Sequence, residues 1–586
     1  MKMLRIIMII VIVIFTPMIA LAQKKVSHNF QYHAVGTEEG KLKEVTHVYH
    51  PETSSIRLYF DEVQLGPNSY LLLEGSNGVK QKLDAEALKN WRNSSAYFNG
   101  GRVKVSVYQA AGETIMFNVK ELKVNEKQYR LDTMRTMQYR KINIQATSST
   151  RIGEFNLEDV PYAAAVGRFT DGSESFGSGW IAPNGAIVTT HSIHGRFDDP
   201  DGFDVIEFNV PPSTGNSVNH PNPEDQYPLN KAKEFVGSKS IYYKKGPFNI
   251  INANYAIIEP LPNSTGFRPG ERQQQYFRIA TNPGSFITKS SDIPVEIIHY
   301  GNRSDDIASG KFKTLQISTG QLVDQNKYLS KYSESSRDNY ILYNMDVFFG
   351  SDGGAPVVYQ ESNVAIGVHN YSLENIPSYG IGFKEDDFRN NLNDFFSTNR
   401  VYIDADGLFG NNATGEIHKP FIEIGDGLPH VPDHGILNIS KGNYNEVLHI
   451  NQPLTLIAPV GKVIIGTAGD AGARIVQNSR LAEFLQEEEE NKEEPSTPIL
   501  LKGFPNPFSN QVELQYNLKK ESLVTIKIFN ITGSQVKSLF QGQQNKGYQR
   551  IAWDGTNADG KPVDSGMYFI QVQTNTELLS TKLIKQ

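Results

Sequence analysis

Any chemistry in this 586-residue chain would have to come from a few polar side chains set at the ends of apolar runs. Ser351 and Asp352 lie in Phe349-Gly350-Ser351-Asp352-Gly353-Gly354-Ala355-Pro356-Val357, a glycine-rich turn that opens into an apolar strand. His191 closes the run Gly177-Ser178-Gly179-Trp180-Ile181-Ala182-Pro183-Asn184-Gly185-Ala186-Ile187-Val188-Thr189-Thr190-His191, two apolar strands joined by a turn. Asn254 opens a third, Asn254-Tyr255-Ala256-Ile257-Ile258. An imidazole exchanges a proton near neutral pH, which is what a general base must do. A serine hydroxyl beside such a base becomes a nucleophile. A carboxylate at 352 cannot take that part in ordinary acyl transfer. It is expected instead to pair with His191 and raise the histidine pKa, holding the ring charged. Asp352 and His191 could also begin a metal site, but the sequence offers no obvious third ligand, and no metal or cofactor is expected.

The three segments together resemble the trypsin-like, chymotrypsin-fold serine proteases. There the nucleophile loop reads Gly-x-Ser-Gly-Gly/Ser followed by Pro-Val, and here Asp352 stands where the serine should be. Gly-Ser-Gly, a strand, a turn, a second strand and a closing histidine match the segment that carries the general base, which implies that role for His191. The acid of the family opens an Asp-x-Ala-apolar-apolar strand, and Asn254 occupies that position. The resemblance also implies an oxyanion hole built from the backbone N–H groups of Gly350 and Asp352. A carboxylate beside that hole opposes oxyanion formation. Asn in place of Asp costs a working trypsin-like enzyme about four orders of magnitude in turnover. Loss of the serine nucleophile in subtilisin costs about six. Three readings stay open: an inactive protease homologue; an active endopeptidase with a shifted loop in which Ser351 takes over; and a serine elsewhere, although Ser178 and Ser372 are not in suitable motifs. Val364-Ala365-Ile366-Gly367-Val368-His369-Asn370 is similar to the strand after the nucleophile in glutamyl-endopeptidase-like enzymes, where a histidine at the place of His369 helps read an acidic side chain. The alternative is a histidine that lines the strand without touching a ligand. Asp346 falls near the base of that implied pocket, with a charge that opposes an acidic ligand.

These positions need a large β scaffold. Tyr, Phe, Gly and Pro are plentiful and amphipathic helical patterns are scarce, which favours an all-β chain. At about 150 residues per domain the length suggests roughly four domains. A net charge of −7 gives no electrostatic case for nucleic acid. Lys2 and Arg5, the apolar run Ile6 to Phe15 and Ala20-Leu21-Ala22 read as a signal peptide over residues 1–22, and no second run of membrane length follows. The chain has no cysteine, so disulfides are excluded, and export without disulfides fits a bacterium.

Residues 23–135 alternate at period two in Ile56-Arg57-Leu58-Tyr59-Phe60 and Val103-Lys104-Val105-Ser106-Val107, with turns at Gly66-Pro67-Asn68-Ser69 and Asn99-Gly100-Gly101. This predicts a β-sandwich, and Ser94 to Gly100 resembles part of the accessory sandwich before some bacterial trypsin-like domains. Residues 150–395 form the protease-like segment, expected as a double six-stranded barrel. Within 400–470, Ile436–Ile439, Val447–Ile450, Leu454–Ile457 and Val463–Ile465 are predicted as short strands resembling coils of a parallel β-helix, separated by Gly442-Asn443-Tyr444-Asn445 and Asn451-Gln452-Pro453. A small β extension packed on the barrels is the alternative. Residues 476–498 hold an acidic run, Glu487 to Glu490, Glu493 and Glu494, read as a solvated linker. From 499 to 586 come Gly503-Phe504-Pro505-Asn506-Pro507-Phe508, Val524-Thr525-Ile526-Lys527-Ile528-Phe529, Trp553-Asp554-Gly555, Asn557-Ala558-Asp559-Gly560-Lys561 and Ser565-Gly566-Met567-Tyr568-Phe569. The alternation predicts an Ig-like β-sandwich. The motif order resembles the C-terminal sorting domain of the Bacteroidetes type IX secretion system. That resemblance implies the type IX machinery as a partner and a location outside the cell or on the outer-membrane surface. A peptide, protein or glycan ligand stays open.

Overall fold

The computed structural model describes most of residues 24–466 and 502–585. The longer stretches outside the described residues are 1–23, 127–148, 152–161, 192–202, 243–249, 281–292, 301–310, 324–339, 345–352, 372–377 and 467–501. The expected leader and acidic linker lie outside them. The fold is nearly all β.

Its centre is a pair of barrels. The first uses β1 (Val166–Thr170), β2 (Ser175–Ile181), β3 (Ile187–Thr189), β4 (Val205–Glu207), β5 (Gln226–Tyr242) and β6 (Ile250–Pro260). These close in the order β1-β2-β3-β6-β5-β4, every neighbour antiparallel. The second uses β7 (Pro294–His299), β8 (Gln316–Leu322), β9 (Tyr340–Asn344), β10 (Pro356–Tyr359), β11 (Val364–Tyr371) and β12 (Ser378–Gly382). It closes as β7-β8-β9-β12-β11-β10, the same order, again antiparallel throughout. Two six-stranded barrels are the chymotrypsin-type architecture expected from the sequence.

Successive side chains on a strand point to opposite faces, and here both faces are buried. Ile181, Ile187, Ile206 and Ile258 fill the first barrel. Ile297, Ile341, Val357 and Ile366 fill the second. Their sequence neighbours Trp180, Val188, Ile257, Ile298, Leu342, Val358 and Ala365 join one cluster formed by both halves. This is why the barrel strands read as unbroken apolar runs rather than as an alternation.

The N-terminal segment is a sandwich of two four-stranded sheets, one built on Thr53–Leu65 and Thr114–Glu126, the other on Arg102–Gln109 and Tyr70–Gly75. It rests on the first barrel through a polar seam. The Arg57 guanidinium, 1% exposed, donates to Asp204 Oδ1 at 2.7 Å and to Oδ2 at 3.0 Å. The Tyr97 N–H donates to Gln226 Oε1, and Gln226 Nε2 returns a bond to Tyr97 O, both 2.8 Å. Asn99 and the His220 backbone form a second reciprocal pair at 2.8 and 2.9 Å. The Tyr97 and His220 rings stack with centroids 4.6 Å apart. Behind them His220 Nδ1 lies 2.6 Å from Glu207 Oε1, and Glu207 Oε2 accepts from Arg168 Nη2 at 2.6 Å, all three side chains fully buried. Burial pushes the Asp204 carboxyl up, but Arg57 more than offsets it and holds it down at about 2. Glu207 is likewise driven up by burial and brought below the usual carboxylate range by His220 and Arg168.

After the barrels, Arg400–Ile403, Ile436–Ile439 and Thr455–Ile457 stack in parallel, and Gly442–Tyr444 stacks on Val463–Ile465. This is a short parallel coil. One expected strand is corrected: Val447–Ile450 is not a strand, and Val447 is 73% exposed. Gly442–Tyr444, expected as a separator, forms the rung instead, because Tyr444 is buried and its hydroxyl bonds to Ser440 O at 2.9 Å. The coil is fastened to the first barrel by Val460, 0% exposed within that barrel's core. Pro459 fits over Gly270, where a Cβ would come within 2.2 Å of the Pro459 carbonyl oxygen.

The C-terminal unit, Val476–Gln586, is separate from the rest. A three-stranded sheet around Val512–Leu518 and a four-stranded sheet around Ser522–Asn530 and Gly566–Gln573 enclose Leu514, Ile526, Ile528, Trp553 and Ile570. This is an Ig-like sandwich.

Candidate functional site

Strand β3 ends at Thr189, so Thr190 and His191 leave the barrel at its rim. Pairing of Thr189 with Ala256 puts Asn254, on β6, beside them. The His191 backbone N–H donates to Asn254 Oδ1 at 2.9 Å. The Thr190 hydroxyl donates to the same oxygen. Asn370, on β11 of the second barrel, sends its Nδ2 to Asn254 O at 2.7 Å, to Thr190 Oγ1 at 2.9 Å and to Asn254 Oδ1 at 3.1 Å.

These contacts orient both amides. A backbone N–H only donates, so the Asn254 atom facing His191 N is the oxygen. A backbone carbonyl only accepts, so the Asn370 atom facing Asn254 O is the nitrogen. Thr190 and Asn370 are 1% and 8% exposed, so this network works in a low dielectric and holds its geometry. Among the described residues Asn370 Oδ1 is buried without a hydrogen-bond partner.

Gly353 and Gly354, which follow Asp352 in sequence, are pinned between the halves. Ser178 N–H donates to Gly353 O at 2.9 Å, and Gly354 N–H donates to His369 O at 2.8 Å. Gly354 has φ +85°, and a Cβ there would come within 2.1 Å of Thr189 Oγ1 and 2.2 Å of Ser178 O. Only glycine meets both demands. Gly350, Ser351, Asp352 and Asp346 lie outside the described residues. So do the expected His191–Asp352 pair, its effect on the histidine, and the expected oxyanion hole. Ser178, rejected as a nucleophile from its motif, is fully buried and its hydroxyl accepts from Tyr300 N at 2.9 Å.

His369 is fully buried, and its Nδ1 lies 2.5 Å from the hydroxyl of Tyr343, itself fully buried. Thr190, Asn370 and Tyr343 were not singled out as site residues from the sequence. Thr190 and Asn370 sit inside the quoted motifs, beside the positions that drew attention, and a search for hydroxyl and amide groups flanking the histidines would have found them. Among the described residues no group of three His, Asp or Glu could hold a metal. Cavities of about 10 Å³ at Asp404 and His418 and about 460 Å³ at Leu88 and Arg92 lie away from the cluster.

The arrangement can position an imidazole through its own backbone. It cannot place a carboxylate at Asn254 to stabilise an imidazolium. With Oδ1 committed to three donors, the group left for a neighbouring ring is the Asn254 NH2, itself a donor.

Residues 508–577 match the FlgD Ig-like domain family. No curated protein matches the chain. Among solved structures, a scabies mite inactivated protease paralogue is similar at 15% identity over 39% of this chain and 89% of its own, with a TM-score of 0.27. The Vibrio cholerae VesB protease is similar at 10% identity over 75% of this chain and 98% of its own, TM-score 0.27. PorZ of Porphyromonas gingivalis, a surface component of the type-IX secretion system, is similar at 21% identity over 15% of this chain and 11% of its own, TM-score 0.12.

Proposed function

We propose that this chain is a trypsin-like protease scaffold that does not hydrolyse peptide bonds and serves as a binding module outside the cell. The observation that carries the reading is the amide at Asn254. Its oxygen is held by Thr190, the His191 backbone and Asn370. Its NH2 can only donate, so towards the His191 ring it would favour an imidazole whose Nδ1 accepts, with the proton on Nε2, the atom that must be bare to take a proton from a hydroxyl. Asp352 in place of serine removes the acyl acceptor as well. The barrels stay folded without the chemistry because their cores do not depend on these side chains. The order of motifs in the last segment supports export by the type IX machinery, with the Ig-like unit as the sorting domain. No described helix is long and apolar enough to cross a membrane.

The test is hydrolysis of a mixed peptide library by the protein lacking its leader and C-terminal unit, beside an Asp352→Ser, Asn254→Asp double variant. Silence of the natural chain with cleavage by the variant supports the reading. Cleavage by the natural chain, abolished by His191→Ala, overturns it and makes Ser351 the residue to examine.

A further inference from the structure

We propose that the N-terminal sandwich is a non-covalent subunit of the barrel pair, and that it stays bound when the peptide connecting them is cut. Every strand pairing of the sandwich, from Lys24–Val35 to Thr114–Glu126, is made within the sandwich, and every pairing of the first barrel within the barrel. The residues between, 127–148, lie outside the described residues. What joins the two bodies among the described residues is therefore side-chain chemistry and packing.

The Arg57–Asp204 fork is bidentate and desolvated, with further bonds from Arg57 to Ser95 O at 2.8 Å and Ser94 Oγ at 2.8 Å. Its Cζ also sits 5.0 Å from the Tyr97 ring centre. Among the described residues the carboxylate paired with this buried arginine is Asp204 of the barrel. The Tyr97–Gln226 and Asn99–His220 pairs each satisfy a donor and an acceptor on both bodies. The Tyr97 ring covers His220, which is 1% exposed and would otherwise open the Glu207–Arg168 cluster to water. Val205 of β4 belongs to the hydrophobic core of the sandwich. A central aromatic and an arginine in desolvated seats, ringed by paired polar groups, is the pattern that concentrates binding energy. Separation would leave a buried-type charge unpaired on each side, so dissociation is slow and insensitive to salt, unlike that of a rim held by exposed charges.

The experiment is to place a recognition sequence for a site-specific protease between residues 135 and 140 of the full chain, cut it, and measure the mass of the product by gel filtration with light scattering. The expected result is one species of unchanged mass at 1 µM in both 0.1 M and 1 M NaCl. Two species of the fragment masses would overturn the proposal. A cut chain carrying Tyr97→Ala with Asp204→Ala is expected to separate, with affinity lowered roughly 100-fold or more. Unchanged co-elution of that variant, with each fragment still folded by circular dichroism, would show that the seam is not what binds and would equally overturn it. Asp204→Asn, which keeps the shape, is expected to raise the dissociation rate without unfolding either part. A rate equal to that of the natural cut chain counts against the proposal.

Discussion

His220 and His191 belong to the same barrel and meet opposite partners. His220 Nδ1 faces the Glu207 carboxylate at 2.6 Å, and its ring is sealed under Tyr97. His191 stands at the rim, half-buried, and the side chain bonded to its backbone from the next strand is an amide. A histidine–carboxylate pair is thus present inside the first barrel, under the seam with the sandwich. At His191, the residue proposed for the general base's place, the side chain bonded to the backbone is neutral. The pairing alone does not make a base: it also needs an open Nε2 and a hydroxyl to receive the proton from. His220 has neither exposure nor a described nucleophile, and the side chain at Asn254 brings His191 no charge.

The comparison can be broken or sharpened by four changes. Restoring the charge has the largest expected effect: in a chain already carrying Asp352→Ser, Asn254→Asp should raise peptide hydrolysis by about 10⁴-fold, measured as initial rates on the best library substrate. Removing charge at the other histidine comes next. Glu207→Ala takes the carboxylate away from the buried Arg168 and His220 and should cost about 3–5 kcal/mol, read from the midpoint of chemical unfolding. Its effect on hydrolysis by the restored enzyme should be small once the protein is folded. Third is acid. Asp204 is depressed from 3.8 to about 2, so its contribution is complete above the ordinary carboxylate value and is lost as the pH falls from there towards the folded-state value. The size is about 2 kcal/mol, and it should appear as a difference in unfolding midpoint between the natural chain and Asp204→Asn that shrinks across that window. Smallest is Thr190→Val, which removes one of three donors to Asn254 Oδ1 and one acceptor of Asn370, for about 1 kcal/mol. In the chain that carries Asp352→Ser and Asn254→Asp the same change should lower turnover more than it raises KM, because it disturbs orientation rather than binding.

Much of the scaffold could be read from the chain because strands leave a local signature. Gly177 to His191 predicted a hairpin ending on a histidine, and β2, β3 and the rim residue follow that plan. Asn254 was legible for the same reason, since its strand has the apolar run of a barrel wall. What local pattern does not carry is partnership over distance. Asn370 is bonded to Thr190 across 180 residues and to Asn254 across 116, and Arg57 to Asp204 across 147. In sequence each of these is an ordinary polar residue in or beside a strand. The Val447–Ile450 stretch misled for the opposite reason: its apolar character suggested a strand, but rung spacing in the parallel coil chose Gly442–Tyr444, leaving Val447 and Ile450 facing water while Leu448 packs against the coil's core.

The fastening of the parallel coil has a mechanical consequence. A pull applied at residue 466 acts first on Val463–Ile465, which among the described residues pairs with one strand, Gly442–Tyr444. The next residues inward are Lys462, Gly461, Val460 and Pro459. Val460 is locked in the first barrel's core, and Pro459 is seated over Gly270. Peeling therefore meets a stop within a few residues, and further extension must draw an apolar plug out of a closed barrel. A chain tethered through its C-terminal side would yield a short length under load and then pass the force to the first barrel at Val460.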